Sequence, residues 1–169
     1  LSLNVLANDV AFDGDKTVSA VSGSNENLGQ AVTGSNGGAF TINADGFAVF
    51  PQGSDFDYLS EGEVITTSVS YSVAGYEGES YTSTMQVVIT GVNDAPNAVD
   101  NVYTVNAGSN ANLSVIWGSY NTSLLGNDSD AEGDVFSVTA VNDEDLVDGS
   151  VVVNGDNGGV FTVSANGTV

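Results

Sequence analysis

Two stretches, Thr66-Thr-Ser-Val-Ser-Tyr-Ser-Val73 and Met85-Gln-Val-Val-Ile-Thr90, alternate apolar with polar side chains and decide the fold class. A period of two places the apolar side chains on one face of a β-strand. The residues between the two stretches include Gly75 and Gly78, which allow the strands to form an antiparallel hairpin. The pattern therefore predicts two half-buried β-strands rather than amphipathic helices.

Further strands are expected wherever short apolar runs are bounded by turn residues. They lie near residues 18–21, 39–43, 47–50, 102–106, 113–117, 135–141, 151–153 and 160–164. Many short strands separated by turns favour a β-sandwich over any helical fold. No apolar run approaches the length of a membrane span, so we expect no membrane insertion.

The chain contains an internal repeat with a period of roughly 120 residues. Leu6-Ala-Asn-Asp9 recurs as Leu125-Gly-Asn-Asp128, and Gly37-Gly-Ala-Phe-Thr-Ile42 recurs as Gly158-Gly-Val-Phe-Thr-Val163. This period is the length of one immunoglobulin-like sandwich. We therefore predict an all-β chain of tandem immunoglobulin/cadherin-like Greek-key β-sandwich repeats.

The repeat also predicts two domains, both incomplete at the chain ends. The first copy has no counterpart to residues 97–113, so residues 1–95 form a repeat that lacks its first strand region. The second copy has no counterpart to residues 50–99, so residues 96–169 form a repeat that lacks its C-terminal half. We expect the natural protein to continue in both directions. The missing strands would come from adjoining sequence or from a neighbouring copy.

The charge composition excludes most enzyme chemistry. The chain has 22 Asp and Glu residues, one Lys, no Arg, no His and no Cys, which gives a net charge of −21. A thiol nucleophile, a His base and a His or Cys metal site are therefore impossible. Nucleic acid and anionic membrane surfaces are excluded as partners because both are bound by cationic side chains. Two carboxylates could in principle hydrolyse a glycosidic bond, but the spacing of the acids suits a metal better, so we expect no enzyme.

Most of the acids lie in short clusters, and one cluster has the spacing of a calcium loop. In Asp128-Ser-Asp-Ala-Glu-Gly-Asp134, acids at alternate positions point their oxygens into one loop, and Gly133 permits a sharp turn. The stretch resembles the first half of an EF-hand loop, although Thr139 stands where the closing Glu would be. It predicts Ca²⁺ as a cofactor. The expected ligands are Asp128, Asp130, Glu132 and Asp134.

The equivalent loop of the first repeat keeps three acids, Asp9, Asp13 and Asp15, but has Ala11 where Asp130 would match. We expect this loop to bind calcium more weakly or not at all. For every cluster the alternative is a solvated acidic face that keeps the protein soluble. The run at residues 143–148 fits that alternative better because its acids do not alternate.

Several motifs are similar to those of one known family. They are Asp57-Tyr-Leu-Ser-Glu-Gly-Glu63, the alternating strand at 66–73, the repeated Leu125-Gly-Asn-Asp128 and the junction Val88-Ile-Thr-Gly-Val-Asn-Asp-Ala-Pro96. Together they resemble the cadherin-like, VCBS-type tandem repeats of large Gram-negative (RTX-type) surface adhesins, over essentially the whole chain. The resemblance implies calcium held where one domain meets the next. On this view Glu61 or Glu63, with Asn93 and Asp94, join the ligands of the acidic loop.

The expected function is a calcium-stiffened extender of a secreted or cell-surface bacterial adhesin or filament, acting in adhesion and biofilm formation. The expected location is extracellular, with adjoining repeats or neighbouring copies as partners and a surface receptor or glycan as a further partner. Two alternatives remain open. Trp117 and Tyr120 could stack on a sugar ring and make the chain a carbohydrate- or partner-binding module, unless Trp117 closes a sandwich core. The chain could also be a strand-exchanging filament subunit.

Overall fold

The computed structural model describes residues 1–10, 16–51, 53–75, 78–103 and 123–169. Within these ranges the secondary structure is β-strand apart from two single-turn 3-10 helices, so the predicted all-β class is confirmed. The chain divides into two units, Leu1–Asn93 and Asp94–Val169. None of the helices in the described ranges has the length and hydropathy needed to span a bilayer.

The first unit is a sandwich of two antiparallel sheets. Its described strands are β1 (Ser2–Asn4), β2 (Thr17–Val21), β3 (Ala31–Thr33), β4 (Ala39–Ile42), β5 (Phe47–Val49), β6 (Val64–Ala74) and β7 (Ser80–Thr90). One sheet has the order β1-β5-β4-β3 and the other the order β2-β6-β7. The chain changes sheet after β1, after β2 and after β5, as expected for an immunoglobulin-like sandwich.

Side chains from both sheets of the first unit meet in one hydrophobic core. Phe40 and Ile42 of β4 are fully buried, and Val69 and Tyr71 of β6 are buried opposite them in the same cluster. The ring centroids of Phe40 and Phe50 are 4.8 Å apart, a tilted contact that aromatic pairs favour. The alternation in β6 thus buries its apolar face, as the sequence predicted.

Strands β6 and β7 form the predicted antiparallel hairpin. Their register is continuous, from Val64 opposite Thr90 to Ala74 opposite Ser80. Between them, the Gly75 N–H donates to the carbonyl of Glu79 at 3.0 Å. The hairpin supplies the two longest described strands of the unit and one side of its core.

The second unit is built from shorter hairpins in the part that the structure describes. Its strands are β8 (Ala140–Val141), β9 (Glu144–Asp145), β10 (Ser150–Asn154) and β11 (Val160–Ser164). Strand β8 pairs with β9 and β10 with β11, both antiparallel. Val151, Val153 and Val163 form the buried centre, with Leu124 and Leu146 among the apolar residues packed around it.

The internal repeat is visible in the main-chain hydrogen bonds. In the first unit they join Val5 to Gly46, Val18 to Ala44 and Gly34 to Gly38; in the second they join Leu124 to Gly167, Val138 to Ala165 and Gly155 to Gly159. Corresponding donors are separated by 124 − 5 = 119, 138 − 18 = 120 and 155 − 34 = 121 positions. The growing separation reflects single-residue insertions in loops of the second unit. Both units therefore use the same local structure.

One predicted strand is much shorter than expected. Of the segment 135–141, only Ala140–Val141 forms a strand, and Val135 is fully exposed. In the first unit the equivalent strand β2 pairs with β6, whereas the described part of the second unit contains no equivalent of β6. Without that partner the alternating pattern has no ladder to join. The strand predicted at 113–117 and most of that at 102–106 lie outside the described residues.

Candidate metal-binding site

The acidic loop, residues 128–134, closes on itself in the second unit. Asp130 Oδ1 accepts a hydrogen bond from the Asp134 N–H at 2.9 Å, and the Asp130 carbonyl accepts one from the Gly133 N–H at 3.3 Å. Gly133 has φ of +78°, a left-handed conformation that costs glycine little because it has no Cβ. The turn predicted at Gly133 is confirmed.

Alternate acids of this loop turn toward the protein. Asp128, Asp130 and Glu132 are half-buried, whereas Asp134 is exposed. The alternation predicted from the sequence therefore holds for three of the four acids.

Two of these carboxylates bind the backbone of residues 94–101, which we call the leading segment. Asp128 Oδ1 accepts a hydrogen bond from the Val99 N–H at 2.8 Å, and Glu132 Oε1 accepts one from the Asp94 N–H at 3.0 Å. Charged acceptors make hydrogen bonds roughly twice as strong as neutral ones. The acidic loop therefore holds the start of the second unit in place.

Backbone pairing and amide side chains add to this attachment. Asn97 and Ser129 exchange two main-chain hydrogen bonds of 2.7 and 3.1 Å. Asn127 Nδ2 donates to the carbonyls of Val99 and of Asp100, both at 3.2 Å. The sequence pattern assigns no role to these two asparagines. The presence of Asn127 in the repeated Leu-Gly-Asn-Asp motif was the one feature that could have indicated its structural role.

Glu132 has one oxygen that the protein does not satisfy. Glu132 Oε2 is buried and has no hydrogen-bond partner in the part of the chain that the structure describes. An unsatisfied buried acceptor is unfavourable, and more so when it carries charge. A cation would remove that penalty. Carboxylate and main-chain carbonyl oxygens are the ligands that Ca²⁺ prefers, so the donor chemistry of the loop fits this ion.

The acids are nevertheless not gathered into a closed cage. Within the described ranges, no three or more Asp and Glu side chains are arranged so that they could together hold a metal ion. One oxygen of each half-buried carboxylate accepts a hydrogen bond from a backbone N–H, at Asp128, Asp130 and Glu132. Each of these carboxylates also has a second oxygen. Calcium binding at this loop stays a prediction, and it would use these second oxygens or a rearranged loop.

The turn that leads into the acidic loop is also present in the first unit. The Asp9 N–H donates to the carbonyl three residues earlier at 3.2 Å, as the Asp128 N–H does at 3.3 Å. The Asp9 carbonyl also accepts a hydrogen bond from Lys16 Nζ, which brings the only lysine to this loop. Asp13 and Asp15 lie outside the described residues.

The ligands implied by the family resemblance lie on either side of the division between units. Glu61, Glu63 and Asn93 belong to the first unit and are exposed, whereas Asp94 belongs to the second and is half-buried. Glu63 Oε2 accepts a hydrogen bond from the Ser60 N–H at 3.3 Å within its own turn.

The two aromatic residues considered for sugar stacking, Trp117 and Tyr120, lie outside the described residues. The carbohydrate-binding alternative therefore stays a prediction.

Comparison with known proteins relates the second unit to a bacterial family. Residues 93–169 match the family model described as Bacterial Ig domain. The matched bacterial Ig region contains both the leading segment and the acidic loop. Bacterial Ig domains usually occur in surface or extracellular proteins. No curated protein and no solved structure matches the chain at a significant level. The more specific likeness to cadherin-like, VCBS-type adhesin repeats stays a prediction.

Proposed function

We propose that the protein is a non-enzymatic extender segment of a secreted or cell-surface bacterial adhesin, and that calcium stiffens it. Its role would be to hold a binding part away from the cell during adhesion and biofilm formation. Two successive units with the same local hydrogen bonds support a spacer. The bacterial Ig match supports a structural part of a surface protein.

The observation that carries the calcium proposal is Glu132 Oε2, which is buried and has no hydrogen-bond partner among the described residues. Its sister oxygen, Oε1, already accepts a hydrogen bond from the Asp94 N–H in the leading segment. A cation on Oε2 would therefore sit next to a carboxylate that joins the acidic loop to the leading segment. Asp128 and Asp130, the other half-buried acids of the loop, could complete the ligand set.

Bound Ca²⁺ would stiffen the second unit by adding stability at this attachment. A ligand that binds only the folded state stabilises it by about 2.7 kcal/mol when its concentration is 100 times the dissociation constant. Ca²⁺ would also offset the repulsion among the half-buried carboxylates of the loop. The leading segment would then open less often.

The test is a calcium titration of the purified chain followed by thermal unfolding. Ca²⁺ is expected to raise the melting temperature of the second unit, chelation is expected to reverse the rise, and Mg²⁺ is expected to act less because it keeps its water ligands. The Glu132→Gln variant should lose most of the response. Glu144→Gln, which removes an exposed acid from β9, is the matched control and should keep it.

Two results would contradict the proposal. One is a melting temperature that Ca²⁺ does not change at any concentration. The other is an equal calcium response in the parent chain and in Glu132→Gln, which would place the ion elsewhere. The first result would leave a non-enzymatic spacer that needs no metal as the better description, and the second would leave a spacer that binds Ca²⁺ at another site.

A further inference from the structure

The second unit contains a short motif that the candidate metal site does not use. Asn166-Gly-Thr168 has the pattern Asn-x-Ser/Thr, in which the Asn side chain is the acceptor for N-linked sugars. The same pattern occurs at Asn127-Asp-Ser129, and again at Asn112 and Asn121, which lie outside the described residues. The motif alone does not rank these positions. The hydrogen bonds of the two described ones do.

The carboxamide of Asn166, in the turn that follows β11, is held by its oxygen. Asn166 Oδ1 accepts hydrogen bonds from the Thr168 N–H at 3.1 Å and from the Thr168 hydroxyl at 2.6 Å. A backbone N–H can only donate, so the atom that accepts it is the oxygen and not the nitrogen of the carboxamide. The Thr of the motif therefore contacts the Asn side chain directly and fixes its orientation.

The Nδ2 group of Asn166 is accessible to a reagent from solution. Asn166 is an exposed residue, and within the described ranges its Nδ2 group donates no hydrogen bond. The two hydrogen bonds on Oδ1 draw electron density toward the oxygen, because hydrogen-bonded groups polarise one another. A proton on Nδ2 is then easier to remove. Access and an activated nitrogen, which an acceptor of a sugar needs, thus occur together at Asn166.

Asn127 is also exposed, but its Nδ2 group is already in use. It donates to the carbonyls of Val99 and Asp100, both at 3.2 Å. A carboxamide nitrogen has two hydrogens, and both of them attach the leading segment. A sugar on Nδ2 would replace one of these hydrogens, and the leading segment would have to come away first. Asn127 is therefore a poor acceptor in the folded chain.

The same turn occurs in the first unit, where an Asp replaces the Asn. Asp45 Oδ1 accepts a hydrogen bond from the Phe47 N–H at 3.0 Å, and the glycines that follow Asp45 and Asn166 have φ of +83° and +79°. The two positions are separated by 166 − 45 = 121 residues, which is the offset of the repeat in this region. The turn is thus a shared feature of both units. Asp45 has no side-chain nitrogen and Phe47 has no hydroxyl, so only the second unit has an acceptor here.

We propose that the second unit is N-glycosylated at Asn166 by a transferase of the cell that makes the protein. The donor is a sugar with a phosphate group on its anomeric carbon. Nδ2 attacks this carbon and loses a proton, the N–C bond forms, and the phosphate leaves with the electron pair of the broken C–O bond. A nucleotide sugar and a lipid-linked sugar share this chemistry. The modification goes beyond the extender function and does not require calcium.

The first experiment maps the peptides of the native protein, isolated from the surface of the cells that make it, by mass spectrometry. Cleavage before Asp suits a chain with one Lys and no Arg, and fragmentation that retains the sugar assigns it to its Asn. Asn166 should carry a sugar and Asn127 none. Modification already present in the cytoplasmic pool would identify a nucleotide-sugar donor, whereas modification of the exported pool alone would identify a lipid-linked donor.

The second experiment separates the effect of the structure from that of the motif. The purified folded chain is incubated with UDP-glucose and a purified N-glycosyltransferase that uses this donor and recognises Asn-x-Ser/Thr. Synthetic peptides of residues 125–131 and 164–169 should both be modified, and their rates normalise the rates in the folded chain. There Asn127 should react at least about tenfold more slowly than Asn166, because its hydrogen bonds must open first.

Matched variants test the role of each group in the turn. Asn166→Asp keeps the Oδ1 acceptor, as Asp45 does in the first unit, so it should fold and carry no sugar. Thr168→Ser keeps the hydroxyl and should be modified, whereas Thr168→Val should not. The double variant Asp45→Asn with Phe47→Thr copies the motif into the exposed turn of the first unit and should create a new acceptor. Thermal unfolding shows that each variant is folded.

Three results would overturn the proposal. The first is native protein in which Asn166 is wholly unmodified. The second is equal normalised rates at Asn127 and Asn166 in the folded chain, because the hydrogen bonds would then not select the acceptor. The third is a folded double variant that gains no sugar at position 45. None of these results depends on whether the chain binds Ca²⁺ or acts as an extender.

Discussion

Replacing Thr67 with Val tests a buried polar contact in the first unit. Thr67 lies in β6 and is fully buried. Its hydroxyl donates to the carbonyl of Gly37 at 2.7 Å and accepts a hydrogen bond from the Asn36 N–H at 3.3 Å. Both partners belong to the turn between β3 and β4, so this hydroxyl links the two sheets. Val has nearly the same shape as Thr, and the substitution therefore changes the hydrogen bonds and little else.

The expected loss of stability follows from these two hydrogen bonds. A buried group left without its partner costs about 1–3 kcal/mol; we take about 2 kcal/mol for the Gly37 carbonyl with its 2.7 Å bond and about 1 kcal/mol for the Asn36 N–H with its 3.3 Å bond. The new methyl group returns up to about 0.8 kcal/mol through apolar burial. The net loss should be about 2 kcal/mol. Thr67→Ser, which keeps the hydroxyl and loses only a methyl group, should lose about 1 kcal/mol.

Urea and thermal unfolding of the first unit measure this loss. In a unit of this size, 1 kcal/mol corresponds to about 4–8 °C in melting temperature, so Thr67→Val should lower it by about 8–16 °C. The matched control is Thr66→Val at the exposed neighbouring position, which should change stability by no more than about 0.5 kcal/mol. If Thr67→Val unfolds at the same temperature as the parent, the hydroxyl does not hold the two sheets together and the reasoning is wrong.

Three further substitutions test the repeated turn and the leading segment. Gly38 has φ of +74°, and Gly38→Ala would place a Cβ 2.6 Å from the ring of Phe50, so it should lower the unfolding free energy of the first unit by more than about 2 kcal/mol. The equivalent Gly159 has φ of +90° and no side-chain atom closer than 3.9 Å to such a Cβ. Gly159→Ala should therefore lower the unfolding free energy of the second unit, measured in urea, by only about 1–2 kcal/mol. Asn101→Ala removes a 2.8 Å hydrogen bond from Nδ2 to the carbonyl of Leu124 and should cost about 1 kcal/mol, seen as faster hydrogen exchange in residues 94–101.

The long hairpin could be predicted from the sequence because its information is local. A strand with one buried face needs an apolar residue at every second position, and Val69 and Tyr71 meet that need without knowledge of the rest of the chain. The segment 135–141 has a similar alternation but forms only a two-residue strand. Alternation specifies which face would be buried. Whether a strand forms depends on a partner that lies far away in sequence.

Strands β1 and β3 could not be predicted, for the same reason. Strand β1 is three residues long and none of its side chains is buried, so no hydrophobic pattern marks it. It exists because Ser2, Leu3 and Asn4 pair with β5, more than 40 positions further along the chain. Strand β3 likewise depends on its hydrogen bonds to β4. Such strands are set by tertiary pairing rather than by local preference.

The candidate site shows a different limit of sequence reasoning. The spacing of the acids and the place of Gly133 predicted a closed loop with four acids turned inward, and three of the four are half-buried. Sequence alone did not predict that Asp128 and Glu132 accept hydrogen bonds from the leading segment. Asp and Asn are the residues that cap backbone N–H groups, and they are also calcium ligands. The residue types alone therefore do not separate the two roles.

Backbone capping and the proposed calcium binding at this loop would be coupled rather than exclusive. Glu132 uses Oε1 for the Asp94 N–H and has Oε2 buried, so the attached leading segment fixes the carboxylate that a cation would meet. If Ca²⁺ binds there, linkage requires that the ion and the attachment strengthen each other by the same factor. Loosening the attachment with Asn101→Ala by about 1 kcal/mol would then weaken calcium binding by up to about fivefold. Calcium binding that does not change in this variant would mean that the ion, wherever it binds, does not stiffen the start of the second unit.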